Sequence, residues 1–439
     1  MTGAGTREQL IELFGAAVAG ANVESLTANA VASVPLERRH RVWVFSFGKA
    51  AHVMANAAVS TLQRALAEIA GGMVVAPDAG DPPCGTVAVL VGDHPVPGRG
   101  SFQASARIGQ MLAQKRAGDL GIVLLSGGTS SLIGAPLRGM SEGDLSQLYE
   151  LLLGSGLDIN QMNAVRKRFS YWAAGRLALA LAPARTYCFA VSDVPGDDLA
   201  SIGSGPCVPD PTRVQQVIDL LQGVQLFGKI SPSYRQYLLD TARGAIPETP
   251  KASHPAFAHV SARVVANNTG ALSAAAAAAR RFGFQTVVHD EPLVGDTAAA
   301  AAKVVQSLLA VRTRATPATT YCSIWGGETT VALRGSAAAG GRCQEFALAA
   351  AAQLASAGER ANGIHLLAGG TDGRDGKTDA AGAVIDASTW RAITEAGRDA
   401  PAALRAHESH DALAAVNALF SPGPTGTNVM DVTIGLVRT

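Results

Sequence analysis

The run Leu120-Gly121-Ile122-Val123-Leu124-Leu125 holds no polar side chain and breaks directly into Ser126-Gly127-Gly128-Thr129-Ser130-Ser131. A short apolar run without alternation fits a strand buried on both faces, as in a parallel sheet covered by helices. The same build recurs along the chain: Arg41–Phe47 leads into Gly48-Lys49-Ala50, Tyr187–Val191 into Ser192-Asp193-Val194-Pro195-Gly196-Asp197-Asp198, and Tyr321–Trp325 into Gly326-Gly327-Glu328. A further run, Ile364–Ala368, opens the loop Gly369-Gly370-Thr371-Asp372-Gly373-Arg374-Asp375-Gly376. Strands alternating with helical patterns predict an α/β fold. At 439 residues the chain exceeds one typical core, so two domains are expected. The boundary is placed in the proline-punctuated stretch 209–259, giving domains 1–245 and 246–439, with the last helix and strand free to pack back on the first.

A net charge of +1 gives no basic excess for a nucleic-acid surface, and 48% hydrophobic residues fit a globular interior. The dense basic run Arg166-Lys167-Arg168 falls in a helical pattern spanning Asn160 to about Leu181, where such a row reads as a solvated face with one or two members free to meet an anion. Five cysteines and nine histidines lie scattered without metal-ligand spacing, so the thiols are expected to be reduced and the location cytoplasmic. No signal peptide and no membrane span are expected. A short piece, Val331 to Leu333, is expected to pair as a hairpin.

The polar loops supply the candidate chemistry. Lys49 sits at a strand-to-helix turn, where a cation is electrostatically unfavourable unless an anion visits. His94, in Asp93-His94-Pro95, either orients a substrate or fixes a turn. Ser126, Gly127, Gly128, Thr129 and Ser130 read as a phosphate cradle of amides and hydroxyls, without the Gly-Lys-Ser/Thr ending of a Walker loop. Asp193 at a strand end can accept a hydroxyl proton or hold a cation, and Asp372 and Asp375 crowd carboxylates that need a partner.

Together the stretches SFGKA, GDHPVPG, LLSGGTSSL, VSDVPGDD, GGETTV, GGRCQE, GGTDGRDGKTDAAGA and TGTNVMD resemble, in this order, the class II glycerate 2-kinase family. The resemblance runs from about Lys49 to the C-terminus. It implies a larger Rossmann-like αβα sandwich, a smaller α/β domain of MOFRL type and an interdomain cleft. It also implies transfer of a phosphoryl group from ATP, with Mg²⁺, to D-glycerate, giving 2-phosphoglycerate. Lys49 and Arg342 stand at the family's transfer-site cations. Asp193 or a carboxylate of the loop after Ala368 would serve the hydroxyl, and Asp193, Asp372 and Asp375 are the metal candidates. His94, Asn268, Glu328, Thr371 and Asp372 complete the expected substrate and phosphate contacts. Cys343, Thr129 and the pair Arg168-Phe169 depart from the family's usual residues. Partners are expected to be small molecules, without nucleic acid or membrane, and a homodimer stays open. A reductase acting on hydroxypyruvate with NAD(P)H is the first alternative, disfavoured because no GxGxxG opens a helix after a strand. A non-catalytic sugar-acid or nucleotide sensor is the second.

Overall fold

The computed structural model describes residues 5–37, 40–331 and 339–439, so the expected hairpin at 331–333 lies largely outside the described residues. The chain forms two compact units, Val23–Ala266 and, from its two ends, Met1–Asn22 with Asn267–Thr439. The division expected near 245 is therefore displaced. The proline-punctuated helices Val214–Gly223 and Pro232–Ala242 stay inside the first unit, whose last strand runs to Ala266.

The unit Val23–Ala266 holds a sheet of six strands: β1 (Arg41–Phe47), β2 (Glu68–Ala76), β3 (Val87–Val91), β4 (Leu120–Leu125), β5 (Arg185–Val191) and β6 (Val260–Ala266). All of its pairs are parallel and its order is β3-β2-β1-β4-β5-β6. Every residue of β4 is buried, as its unbroken apolar run requires. Phe45, Phe47, Met73, Val123 and Leu125 fill one core with Ile108 and Leu177 from neighbouring helices. The sheet grows outward from β1 in one direction and then from β4 in the other. The carboxyl ends of these two strands therefore flank the reversal point, where open parallel sheets bind ligands.

The expected helix from 160 to 181 is broken. Ile159–Phe169 and Arg176–Leu181 are separate helices, and Gly175 at φ +79° occupies a left-handed position between them. The basic row in the first is not solvated either: Arg166, Lys167 and Arg168 are 6%, 2% and 0% exposed. Lys167 and Arg168 gather on Asp210, at 3.3 and 3.8 Å, and Arg168 also pairs with Glu248. Thr249 and Thr212 donate further hydrogen bonds to Asp210. These contacts, with Lys167 the strongest attraction, hold its carboxyl below the ordinary value although burial pushes it up.

The other unit contains β7 (Gln285–Val288), β8 (Leu293–Asp296), β9 (Thr320–Thr330), β10 (Ile364–Gly370), β11 (Gly382–Asp386), β12 (Leu419–Phe420) and β13 (Asp431–Arg438). Its order is β12-β11-β10-β13-β9-β7, with β8 also on β9. β7 and β8 run parallel to β9, while β9, β13, β10, β11 and β12 pair antiparallel. The unit is thus α/β without repeating the parallel build of the first, and β13 lies in the middle of this sheet instead of returning to the other unit. Ala347 to Ala351 are all buried in the helix Arg342–Ala357, whose small side chains admit close packing. The first helix of the chain, Thr6–Gly20, belongs here: Phe14 meets Phe420 edge-on at 5.0 Å. No helix of the described residues is long and apolar enough to cross a membrane.

Candidate functional site

The loops after β1 and β4 are built as one object. Gly48 has φ +119°, and a Cβ there would lie 2.2 Å from the Ser126 hydroxyl. The Lys49 amide donates to the Gly127 carbonyl at 2.9 Å, which fixes the base of the lysine while its side chain stays exposed. Ser126 Oγ accepts from the Ala50 amide and donates to the Phe47 carbonyl, and Thr129 Oγ1 is 2.8 Å from the same carbonyl. Both hydroxyls, expected to face a phosphate, therefore brace the two loops together. Thr129, a departure from the family's usual residue, is fully buried in that role. Ser130 faces Ser204, hydroxyl to hydroxyl, at 2.8 Å. What the loop offers a ligand is mainly backbone: the amides of Gly127, Gly128 and Ser130 take no part in the backbone hydrogen bonds that fold it.

Around these amides the unit places a carboxylate, an imidazole and two cations. Asp193, just past the end of β5, lies so close that a Cβ on Gly127 would fall 2.0 Å from its Oδ2. A Cβ on Gly128 would fall 3.0 Å from Cδ2 of His94. The His94 pKa is pushed down to about 4, first by partial burial of its ring, then by Lys49 and Arg166. At neutral pH the imidazole is therefore uncharged and keeps one nitrogen as an acceptor. His94 thus faces the loop after β4. Arg166, left among the solvated candidates by sequence, lies over the Tyr149 ring at 4.6 Å, and Tyr149 donates its hydroxyl to the Ser130 carbonyl. Its three-residue spacing from Asn163 on one helix was the available signal, because such pairs share a face.

The other expected residues gather in the second unit. Arg342 opens its helix and forms a fork with Asp431, Nε to Oδ2 at 2.6 Å and Nη2 to Oδ1 at 2.7 Å. Glu328, at the end of β9, adds a contact of 3.2 Å. Burial pulls the Arg342 pKa down and Asp431 more than reverses this, so the guanidinium stays charged; burial meanwhile lifts the Asp431 carboxyl against that same pairing. Asp431 closes the TGTNVMD stretch but was not singled out; it is the residue that orients Arg342.

Three other expectations for this unit need correcting. Thr371 donates to the Met430 carbonyl at 2.6 Å and accepts from the Val429 amide at 2.9 Å, which uses its buried hydroxyl. Asn268 donates to the carbonyls of Val429 and Asp431 at 2.8 and 3.0 Å. Both hold the approach to β13. Asp375, expected to bind metal, caps the helix Arg342–Ala357: its oxygens accept from the amides of Cys343 and Gln344 at 3.1 and 2.9 Å and from Gln344 Nε2 at 3.0 Å. Asp372 is half-buried and closes a turn through Oδ1, 3.0 Å from the Arg374 amide. Among the described residues no three His, Cys, Asp or Glu side chains form a metal cluster.

The cap makes a prediction. Asp375→Asn leaves one acceptor oxygen where two serve now, and should lower stability by about 1–2 kcal/mol. Any dependence of activity on Mg²⁺ should not move. A thermal melt beside a Mg²⁺ titration checks both, and a shifted Mg²⁺ dependence with an unchanged melt would return Asp375 to the metal.

The chain matches two families, one described as a domain of unknown function over residues 9–239, the other as the MOFRL family over residues 321–431. It is 32% identical to the glycerate 2-kinase of Pyrococcus horikoshii across 98% of this chain and 97% of that one. It is 35% identical to a putative hydroxypyruvate reductase of Agrobacterium vitis across 97% and 93% of the two chains. Among solved structures, the glycerate kinase of Thermotoga maritima superposes with a TM-score of 0.85 at 31% identity, covering 98% of this chain and 99% of that one.

Proposed function

The chain belongs to the class II glycerate kinase family, and from that membership we propose that it transfers a phosphoryl group from ATP to the 2-hydroxyl of D-glycerate, releasing ADP and 2-phosphoglycerate. The observation that carries the reading is the loop pair at the sheet's reversal point, where Lys49, three open amides and Asp193 surround one short stretch of backbone. The first unit then corresponds to the glycerate kinase domain and the second carries the MOFRL part. The reductase alternative, despite the name given to the Agrobacterium relative, is not favoured. The turn after β1 reads Gly48-Lys49-Ala50, without the glycine spacing that brings a dinucleotide pyrophosphate against a helix.

Phosphoryl transfer needs little covalent help from a protein; it needs the donor and acceptor aligned and the spreading charge matched. The open amides of Gly127, Gly128 and Ser130 would hold phosphate oxygens. Lys49 would act as a mobile point charge and Arg342 as a fork held in place by Asp431. Asp193 would orient the 2-hydroxyl and take its proton. His94, uncharged at neutral pH, would accept a hydrogen bond from a substrate hydroxyl without adding positive charge. Mg²⁺ would enter with ATP as part of the substrate, neutralising phosphate charge. An ion carried in this way keeps several waters and needs only one or two carboxylates, for which Asp193 and Asp372 are the candidates and Asp375, with its oxygens committed, is not.

Purified protein given MgATP and D-glycerate should form equal amounts of ADP and 2-phosphoglycerate, read by a coupled enzyme that accepts only the 2-phosphate. Efficient oxidation of NAD(P)H by hydroxypyruvate, with ATP turnover at background, would overturn the reading in favour of the reductase.

A further inference from the structure

Arg166 is a cation in an unusual position. It is 6% exposed, yet no carboxylate lies within ion-pair distance of it among the described residues, whereas its neighbours Lys167 and Arg168 share Asp210 and Glu248. Its Nε has no hydrogen-bond partner. Its remaining polar contacts are weak: Nη1 lies 3.4 Å from Asn163 Oδ1 and Nη2 3.9 Å from the Met162 sulfur. The Tyr149 ring beneath it offers a π face, which compensates a buried guanidinium only in part. A buried charge without a counterion is costly, so a site that keeps one is shaped for an anion that arrives from outside.

The position says which anion. Tyr149, which supports Arg166 from below, is hydrogen-bonded to the carbonyl of Ser130 in the loop after β4. Asn163, the other polar neighbour, is itself anchored, donating to the Ser201 carbonyl at 3.0 Å. Arg166 is also close enough to His94 to act on its charge, and His94 abuts Gly128. We infer that Arg166 binds the carboxylate of the 2-hydroxy acid, so that it selects an acid over a neutral polyol as acceptor. The fork geometry of a guanidinium matches a carboxylate, and a side-on pair would satisfy the orphan Nε together with one loosely held Nη. This inference rests on the kinase reading for its substrate; for its chemistry it requires only that a small carboxylate occupy this place.

Two substitutions test it, Arg166→Met and Arg166→Lys, each assayed for KM of D-glycerate, KM of ATP and melting temperature. For Arg166→Met the KM for D-glycerate should rise on the order of 10- to 100-fold, the loss of charge-assisted hydrogen bonds. The KM for ATP should stay near wild type, and the melting temperature should not fall, because an uncompensated buried charge has been removed. Arg166→Lys, which keeps the charge but loses the fork, should recover part of the glycerate affinity. A rise in the KM for ATP with glycerate unaffected would reassign Arg166 to a phosphate, and a lower melting temperature with both KM values intact would make it structural; either overturns the inference. If the wild-type protein phosphorylates nothing, the kinase reading fails, and thermal shift then tests this inference by itself. D-glycerate and lactate, but not glycerol, should stabilise the wild-type protein and leave Arg166→Met unmoved. Equal shifts in both proteins would overturn it.

Discussion

Lys49→Ala is expected to fold as the wild type does and to turn over on the order of 10²–10³-fold more slowly, the usual loss when one donor to a developing charge is removed. The fold should survive because the Lys49 side chain is exposed and the contact that fixes the turn is its backbone amide on Gly127, which alanine keeps. The loss should fall on kcat more than on the KM for glycerate, since the ammonium is needed most as charge moves during transfer. Lys49→Arg should recover only part of the rate, because a planar fork does not reproduce a compact ammonium. Steady-state kinetics beside a thermal melt decide the matter. Turnover near wild type in Lys49→Ala would remove this residue from the transfer step.

Arg342→Ala should behave differently, because this arginine has a structural partner. Removing it leaves Asp431, 8% exposed, without its counterion, which costs about 3–5 kcal/mol and lowers the melting temperature on the order of 10 °C. Activity should fall as well, and the two losses can be separated. In Arg342→Ala/Asp431→Asn no buried carboxylate is left unpaired, so most of the stability should return while turnover stays low. If turnover returned together with stability, Arg342 would be a strut and not a participant in the transfer. The contrast between the two cations follows from their surroundings. Lys49 is presented by backbone geometry alone, whereas Arg342 is held by acids that must remain charged for it to stay in place.

Much of this was legible in the residues. The unbroken apolar run at β4 announced a parallel sheet, and the glycines after β1 and β4 marked loops open to a ligand. The ordered loops carried the family. What was hidden depends on partners distant in sequence. The burial of Lys167 and Arg168 is set by Asp210 and Glu248, which a helical pattern cannot foresee, so the row read as a solvated face. The hydroxyls of Ser126, Thr129 and Thr371 looked the same in sequence whether they faced a phosphate or a carbonyl; only the structure shows them turned to backbone. Asp375 could not be told from a metal ligand until the helix it caps was in place.

The interrupted path of the chain sets an order in time. Thr6–Gly20 precedes Val23–Ala266 in the chain, yet what it packs against follows that stretch: the helix Asn268–Arg281, the strands β10 and β13, and Phe420. As synthesis proceeds, Val23–Ala266 can close around its own parallel sheet before any partner for the first helix exists. The apolar face of that helix (Leu10, Leu13, Phe14, Ala17) must then wait for Asn268–Arg281, and it is fully covered only when β10 and β13 are in place. Completion of the second unit is therefore a long-range ring closure, slow by its topology and dependent on both separated stretches of the chain. A fragment starting at Asn267 would carry nearly all of that unit's sequence and still lack the helix that was waiting for it.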